Sequence, residues 1–451
     1  MAEVVVIETP TLGDRSYLVH DGTVGFVVDP QRDIDRVIER AGEDGVRIEA
    51  VFETHIHNDY VTGGYQLARL VGAGYHLNLA DPVTFERYGV GDGDVLDVAP
   101  GLRVRVLATP GHTVNHLSYV LEEDGTPTAV FTGGSLLYSA VGRPDLLGPE
   151  HTGHLARSQY ASARRLARVL PDDVAVYPTH GFGSFCAVGQ NERTSSDIGA
   201  ERRVNPALLR DERTFVEQLL AGLAEWPAYY ARMAPLNLAG PRPVDLSPPE
   251  SADPDELRQR IAAGEWAVDL RNRVSFAAGH LPGSVNFGLD GGLATYLGWL
   301  IPWGTPVILL ADTAEEIGRA QRELVRIGID RPAACATGGP QRWTTGQLGR
   351  FPRASFLDLE AARARDAVTV LDVRRGDEWA GGHLADARHI PLHELPGRIP
   401  ELPPGEIWVY CAAGYRAAIA ASLLAAAQRP VVAVDEEFGR VAETRLPLAT
   451  G

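Results

Sequence analysis

One cysteine stands where a thiol could act as a nucleophile. Ile407–Tyr410 is predicted as a β-strand and Ala417–Ala427 as a helix, so Cys411 begins the turn between them, which ends in Arg416. Parallel sheets bind ligands at the carboxyl ends of their strands. The N–H groups of such a turn, the positive end of the helix and the arginine all stabilise a thiolate. The pattern therefore predicts a reactive thiol.

A second set of residues has the types and spacing of metal ligands. His55, His57 and Asp59 occupy alternate positions after a predicted strand, and His112 and His180 also lie in turns that end predicted strands. Nine of the thirteen histidines fall within the first 233 residues. Because such turns would converge on one edge of a sheet, we expect a site where imidazoles hold a metal ion.

The predicted elements that must position these residues are those of an α/β protein. Short β-prone runs bounded by Gly, Pro and Asp alternate with helical patterns up to about residue 233. The predicted strands of this part are Glu3–Glu8, Ser16–His20, Gly25–Asp29, Ala50–Thr54, Arg103–Ala108, His116–Leu121 and Ala129–Thr132. Six prolines then follow within residues 235–254, which predicts a semi-rigid linker.

The rest of the chain contains a domain-sized repeat. Residues 268–287 align with residues 371–390 at a constant offset of 103 residues. The aligned pairs are Asp269/Asp372, Arg271/Arg374, Phe276/Trp379, Gly279/Gly382 and His280/His383. We therefore predict four segments, namely a first domain at 1–234, a linker at 235–253, and two parallel α/β copies at 254–346 and 353–451.

The two copies differ at the positions of the thiol and of the arginine. Ala311 aligns with Cys411 and Glu316 with Arg416, so the first copy lacks both the thiol and the cation. We expect it to be an inactive packing partner. Cys335, in its last predicted strand, is interpreted as a core residue.

Composition excludes several classes of function. The net charge is −17, which disfavours a nucleic-acid partner because phosphate contacts need a basic face. There is no lysine, which excludes a Walker A lysine and a Schiff-base lysine. Three cysteines favour free thiols in a reducing compartment. With neither a signal-like N-terminus nor a membrane-length apolar run, we expect a cytoplasmic protein.

The thiol motif resembles the active loop of rhodanese sulfurtransferases. Cys-Ala-Ala-Gly-Tyr-Arg at 411–416 matches CxxGxR, and the Asp, Arg and Gly-His of residues 371–390 resemble the family's preceding motif. The resemblance implies that Cys411 takes up a sulfane sulfur as a persulfide and passes it to a thiol or cyanide. Arg416 would assist by binding anionic donors. The substrate-binding loop residues would be Ala412, Ala413, Gly414, Tyr415 and Arg416.

The first domain resembles the metallo-β-lactamase fold, with persulfide dioxygenases and glyoxalase II thioesterases as the nearest types. The motifs TPGHT, FTG, GRPDL and PTHG carry this resemblance. It implies a metal site of His55, His57 and His112, with Asp59 and His180 as further candidates. Such a site would hold one Fe(II), or Zn, per chain. Asp145 is another candidate oxygen ligand, and Cys186 could be a relay thiol or a buried one.

Two positions depart from the pattern of these families. Tyr60 replaces the last histidine of the first motif, which argues against a dinuclear glyoxalase-type site. Gly134 stands where the aspartate ligand follows FTG, so metal occupancy should be reduced. On this reasoning Gly134→Asp should restore a third ligand beside His55 and His112, at a cost in strain if residue 134 has a positive φ.

The domain order resembles that of persulfide dioxygenase–rhodanese fusions. It implies an enzyme of sulfur metabolism that oxidises a low-molecular-weight persulfide at a metal and transfers sulfur at Cys411. Its partners would be persulfides, thiosulfate, sulfite, thiols and O2, with no nucleic acid, no membrane and a possible homo-oligomer. One alternative is a sulfurtransferase whose first domain is catalytically degenerate. Another is a glyoxalase II-type metallo-hydrolase.

Overall fold

The computed structural model describes residues 2–189, 193–365 and 368–450. The chain divides into two compact units. Met1–Val244 with Val325–Gly328 form the first unit, and Asp245–Leu324 with Ile329–Gly451 form the second. The predicted outer bounds at Met1 and Gly451 lie outside the described residues. The predicted domain limits stay predictions.

Two β-sheets form the centre of the first unit. The six-stranded sheet runs in the order Glu3–Thr9, Asp14–His20, Val24–Val28, Arg47–Phe52, Gly74–Asn78 and Tyr88–Val90. The five-stranded sheet runs in the order Ala175–Pro178, Thr126–Gly133, Leu117–Glu123, Leu102–Ala108 and Val95–Ala99. Aromatic side chains from alternate strand positions fill the space between them, with Phe26 against Phe131 and Phe52 against Tyr119.

Helices cover the outer faces of both sheets, which completes a four-layer αββα sandwich. Val37 and Leu67 belong to the core under the first sheet, and Ala163 and Leu166 to the core under the second. The helices are Asp35–Glu43, Gly64–Val71, Pro149–Val169, Ile198–Val204, Pro206–Leu209, Glu212–Ala221 and Tyr230–Ala239. A short strand pair joins Val141–Gly142 to Ala187–Val188.

The last of these helices overlaps the predicted linker. Tyr230–Ala239 continues through Pro235, so the segment without regular structure begins at Gly240 instead. Tertiary contacts of Asn237 outweigh the unfavourable effect of the proline on the helix. Its buried side-chain amide donates to the carbonyl oxygens of His57 and Tyr60, both at 2.9 Å, and accepts from Thr62 N–H at 2.9 Å.

Two parallel sheets form the second unit. One has the order Val285–Asn286, Trp266–Asp269, Val307–Leu310 and Ala334–Ala336. The other has the order Arg353–Ala354, Val431–Val434, Ile407–Tyr410, Thr369–Asp372 and Arg388–His389. The helices are Pro254–Ala262, Arg273–Ala278, Leu293–Leu300, Ala314–Arg326, Pro340–Trp343, Phe356–Arg363, Gly376–Ala380, Leu395–Arg398 and Tyr415–Ala426, with 3₁₀ turns at Ile399–Glu401 and Phe438–Glu443. His383–Leu384 pairs with Leu448–Ala449.

The sequence repeat appears in the structure as a repeated set of contacts. In the first copy the Arg271 guanidinium donates to Asp269 at 2.6 Å and to the Gly279 carbonyl at 2.9 Å. In the second copy Arg374 donates to Asp372 at 2.6 Å and to the Gly382 carbonyl at 2.8 Å. The same side chains therefore hold the same turn in both copies.

Every helix among the described residues is too short or too polar to cross a membrane.

Candidate active sites

Hydrogen bonds between the two sheets of the first unit bring the histidine-bearing turns together. The Leu117 N–H donates to the Thr54 carbonyl at 2.7 Å, and the Tyr119 hydroxyl donates to the Glu53 carbonyl at 2.7 Å. Within the five-stranded sheet, the Thr179 N–H donates to the Gly133 carbonyl at 3.1 Å. These bonds place His55, His112 and His180 side by side, each with no more than 1% of its surface exposed.

Three imidazole nitrogens face one another at the centre of this cluster. The Nε2 atoms of His55, His112 and His180 have no hydrogen-bond partner among the described residues, although all three are buried. One ligand atom from each of these residues lies within 4.8 Å of the others. Buried polar nitrogens are almost always paired, so a convergent unpaired set fits a divalent metal ion.

Contacts behind each ring fix which nitrogen faces inward. His112 Nδ1–H donates to the Arg143 carbonyl at 2.8 Å, and His180 Nδ1–H donates to Asp14 at 2.9 Å. The Nδ1 of His55 lies 2.8 Å from the Thr54 hydroxyl. Carbonyl and carboxylate partners of this kind orient metal-binding histidines and leave the opposite nitrogen free for the ion.

His57 differs from the predicted arrangement. His55, His112 and His180 form one group of candidate metal ligands. His57 belongs to two other groups, one with Asp59 and His180 and one with Asp29 and Glu53. Its Nε2 lies 3.1 Å from Glu53 and 3.3 Å from Asp29. Only its Nδ1 lacks a hydrogen-bond partner among the described residues. The geometry therefore favours His180 over His57 as the third histidine of the central group.

Burial and neighbouring charges give these histidines different pKa values. Burial, and then the charge of His180, lower the pKa of His112 to about 3. Burial also lowers the pKa of His57, but the carboxylates of Asp29 and Glu53 outweigh it and raise that pKa to about 10. His112 is therefore neutral near pH 7, as a metal ligand must be.

Gly134 has a steric role that the sequence does not reveal. A Cβ atom added there would lie 2.3 Å from Cδ2 and 2.5 Å from Cγ of His112. Its N–H donates to Nε2 of His116 at 3.0 Å. The positive φ in this turn belongs to Gly133, at 51°. The expectation that aspartate at 134 would add a ligand is therefore wrong, because any side chain there overlaps the His112 ring.

The remaining candidate ligands of the first unit are placed as follows. Asp59 is buried, and Oδ2 lies 3.1 Å from Nδ1 of His180. Asp145 is held by Arg143 through two hydrogen bonds of 2.7 and 2.8 Å, and among the described residues it belongs to none of the candidate ligand groups. Tyr60 stacks on His57 with ring centroids 4.3 Å apart.

Cys186 lies close to the histidine cluster. It is fully buried, and burial together with the charges of Asp59 and Asp14 raises the pKa of its thiol well above the usual value. The thiol is therefore protonated near neutral pH in this environment.

The Cys411 loop joins strand Ile407–Tyr410 to helix Tyr415–Ala426. The Gly414 N–H donates to the Cys411 sulfur at 3.1 Å, and the thiol is 2% exposed. Gly414 has φ +89°, and a Cβ there would lie 2.2 Å from Asp435, so glycine is required at this position. Ala412, Ala413 and Tyr415 complete the loop. Its geometry suits an anionic sulfur.

Arg416 does not face the loop as an unpaired cation. Its two Nη atoms donate to the two carboxylate oxygens of Glu378 at 2.6 and 2.7 Å. Burial lowers the pKa of Arg416, but the bond to Glu378 outweighs it and raises that pKa above its usual value. Glu378 is a site residue that sequence reasoning missed.

The first copy has no equivalent loop chemistry. Ala311 is buried at the position of the thiol, and Glu316 accepts from the N–H groups of Asp312 and Thr313, both at 3.0 Å. A carboxylate therefore accepts hydrogen bonds from the N–H groups of this turn. Cys335 is buried in strand Ala334–Ala336.

Comparisons with known proteins match both parts of the chain. The metallo-beta-lactamase superfamily profile matches residues 12–180, and the rhodanese-like domain profile matches residues 253–345 and 355–440. Hydroxyacylglutathione hydrolase of Maricaulis maris is 26% identical over 47% of this chain and 89% of its own length. A mitochondrial persulfide dioxygenase of Homo sapiens is 28% identical over 48% of this chain and 76% of its own length.

A crystal structure of a metallo-beta-lactamase from Staphylococcus aureus subsp. aureus COL has the same fold over a larger part of the chain. It covers 74% of this chain and 99% of its own length, with a TM-score of 0.66 and 24% identity.

The fold and the profile matches thus define an α/β protein with a metallo-beta-lactamase domain and rhodanese-like domains. More particularly, the chain is a metallo-beta-lactamase domain, related to persulfide dioxygenase and glyoxalase II, followed by tandem rhodanese-like domains.

Proposed function

We propose that this protein is a sulfur-handling enzyme with two chemical sites. The first domain binds one divalent metal ion and oxidises a low-molecular-weight persulfide with O2, and Cys411 carries a sulfane sulfur between donor and acceptor. The observation that carries the proposal is the set of three unpaired Nε2 atoms of His55, His112 and His180, buried and convergent. The likeness to a persulfide dioxygenase supports the choice of reaction.

Iron bound by these histidines would supply the redox chemistry that O2 requires. The protein's own residues orient the three histidine rings. Thr54, Arg143 and Asp14 hold the Nδ1 side of the three rings, so the Nε2 lone pairs stay aligned. All three rings are buried, which shields the site from bulk solvent.

At the second site the chain's own loop acts on sulfur. Gly414 N–H stabilises the Cys411 thiolate, which attacks the outer sulfur of a donor. The S–S bond of the donor breaks, and the rest of the donor leaves as sulfite or as a thiolate. The resulting persulfide remains within the N–H groups of the loop. Thiosulfate, sulfite and thiols are the candidate donors and acceptors of this step.

Metal content tests the first site. Protein purified anaerobically and supplied with Fe(II) or Zn(II) should bind one ion per chain, and His180→Ala should weaken binding more than His57→Ala. A greater loss in His57→Ala than in His180→Ala would instead restore the predicted set of His55, His57 and His112. No bound metal after both ions have been supplied would favour the alternative of a degenerate first domain.

A thioester hydrolase of the glyoxalase II type is the second candidate. The observation that favours it is the second ligand group of His57, Asp59 and His180 beside the first. Two metal ions per chain, together with hydrolysis of an acylated thiol, would support this alternative over the persulfide reaction.

A further inference from the structure

The residue after strand Val431–Val434 lies against the Cys411 loop. That residue is Asp435, whose side chain is only 7% exposed. A Cβ atom on Gly414 would come within 2.2 Å of its Oδ1, so this carboxylate oxygen packs directly on the Gly414 backbone. The N–H of the same glycine donates to the Cys411 sulfur at 3.1 Å. A buried carboxylate thus contacts the residue that holds the reactive sulfur.

Left unpaired, this carboxylate would disfavour the reactive form of Cys411. Two negative charges repel each other, and the repulsion is stronger in a poorly solvated environment than in water. A neighbouring carboxylate therefore shifts a thiol towards its protonated form. Since the thiolate is the nucleophile, the charge of Asp435 has to be offset by a cation that contacts it.

Two arginines contact Asp435, and one of them belongs to the other copy. Arg353, in the same copy, donates to Oδ2 at 2.8 Å. Arg273, the first residue of helix Arg273–Ala278 in the copy without a thiol, donates to Oδ1 at 2.6 Å. A Cβ on Gly414 would also lie 3.2 Å from Nε of Arg273. The first copy therefore supplies a cation to the carboxylate oxygen that lies on the thiol loop.

The electrostatic environment of Arg273 includes the sulfur itself. Burial lowers the pKa of Arg273, but Asp435, Asp290 and Cys411 outweigh it and raise that pKa above its usual value. Asp290 is the more distant carboxylate, at 3.6 Å from Nη1. Because a Coulomb interaction acts equally on both charges, an arginine stabilised by an anionic sulfur also stabilises that sulfur as an anion.

Two further groups interact electrostatically with Cys411, namely Arg416 and Tyr296. The charge of Arg416 is offset by Glu378, which accepts from both of its Nη atoms. Burial raises the pKa of Tyr296, so its phenol is neutral near pH 7. The pair of Arg273 and Asp435 is therefore a separate contribution to the charge around the sulfur.

We propose that Arg273, from the copy that lacks a thiol, is a positioning residue for the Cys411 site. It neutralises Asp435 beside Gly414 and thereby allows Cys411 to remain a thiolate. This inference rests on the proposed sulfur transfer at Cys411, because that step needs a thiolate to attack the donor sulfur. The first copy then contributes to the chemistry of the second copy as well as packing against it.

Substitutions at the two partners of the ion pair test the proposal in the full-length protein. Arg273→Met leaves Asp435 with one arginine, so ultraviolet absorbance of the thiolate should appear at higher pH than in the wild type. Alkylation of Cys411 by iodoacetamide at pH 7 should slow about 3- to 10-fold. Asp435→Asn removes the carboxylate and leaves both arginines, so both measures should change in the opposite direction. Cys411→Ser provides the absorbance baseline.

A purely structural role predicts a different result, because either substitution breaks the same ion pair. Changes of the same sign in Arg273→Met and Asp435→Asn would overturn the proposal, as would wild-type behaviour of Arg273→Met. Arg273→Lys keeps the charge and should stay close to the wild type. Adding Asp435→Asn to Arg273→Met should restore the alkylation rate.

Arg260→Met is the matched control. Arg260 also lies in the first copy, and its side chain is 27% exposed, against 30% for Arg273. It pairs with Glu256 at 2.8 Å and with Glu265 at 3.1 Å. Its loss should leave the thiolate absorbance and the alkylation rate unchanged.

Failure of the underlying function would look different from failure of this inference. Thiolate absorbance and alkylation need no sulfur donor, so they decide the role of Arg273 even if the wild type transfers no sulfur. If the wild type does transfer sulfur from thiosulfate, kcat/KM at pH 7 should fall in Arg273→Met by the same factor as the alkylation rate. An unchanged kcat/KM beside slower alkylation would overturn the link to sulfur transfer.

Discussion

The main chain of Gly134 lies directly against the imidazole of His112, where a Cβ atom would come within 2.3 Å of the ring. A Cβ at Gly142 would lie 2.8 Å from Nδ1 of the same ring. Two glycines thus pack closely against His112 and limit where its ring can lie. Gly134 therefore helps to place a candidate ligand.

A side chain at position 134 should weaken metal binding. In Gly134→Ala and Gly134→Asp the His112 ring must move, so we expect affinity for Zn(II) to fall about 10–100-fold, the scale seen when a ligand loses its support. Overpacking should also lower the free energy of unfolding by about 1–3 kcal/mol. Calorimetric titration and urea denaturation measure the two effects.

Gly42→Ala is the matched control for these variants. Within the described part of the chain nothing lies within 4 Å of a Cβ at Gly42, so metal affinity should not change. Tighter metal binding by Gly134→Asp than by the wild type would contradict the steric role of this glycine.

Removing the Thr54 hydroxyl should reduce metal affinity without unfolding the domain. That hydroxyl lies 2.8 Å from Nδ1 of His55 and donates to Asp29 at 2.7 Å. Thr54→Val keeps the volume but releases the ring, so we expect a loss of about tenfold in metal affinity. Thr128→Val is the control, because its hydroxyl has no hydrogen-bond partner among the described residues. Equal affinities in the two variants would argue against this support.

Cys411→Ser should abolish sulfur transfer, because a hydroxyl has too high a pKa to act as the nucleophile and cannot form a persulfide. Mass spectrometry of the wild type after incubation with a donor should show one added sulfur atom on Cys411. Cys335→Ser is the control and should keep its activity, since that cysteine is buried in the first copy. Full transfer by Cys411→Ser would disprove the assignment.

His76 should make the first domain sensitive to acid. Burial lowers its pKa from 6.5 to about 4, and its ring stacks on Phe52 at 4.8 Å and on Tyr88 at 5.3 Å. The unfolded chain therefore binds a proton at His76 between pH 6.5 and 4 that the folded chain does not. Stability is full above pH 6.5 and falls as the pH drops, by about 2–3 kcal/mol at pH 4.

His76→Phe keeps the stacking and removes the proton-binding group. Metal-free wild type and variant should be compared by urea denaturation between pH 4.5 and 8. The variant should lose less stability on acidification. Identical pH profiles would show that His76 does not contribute to the acid sensitivity.

The sequence was sufficient for features that depend on local pattern. The strand Ile407–Tyr410 and the repeat that pairs Asp269 with Asp372 are found as predicted, since a short β-prone run and matching residue types indicate them. The helix through Pro235 was not predictable, because the contacts of Asn237 with a distant turn outweigh the local effect of proline.

For the two sites, too, the sequence indicated the residue types but not their contacts. Residue types made His55, His112 and Cys411 candidates, but did not show which nitrogen of each ring faces inward or that His116 accepts from Gly134. Glu378 was missed for a related reason. Its role depends on a contact with Arg416, 38 residues away in sequence, and no local motif records that contact.

Oxygen uptake by the iron-loaded full-length protein tests the central claim most directly. On addition of a low-molecular-weight persulfide, we predict O2 consumption that is lost in His55→Ala and His112→Ala but retained in Cys411→Ser. The paired variants separate the metal site from the thiol site within one assay. Absence of persulfide-dependent O2 consumption at full iron occupancy would contradict the account.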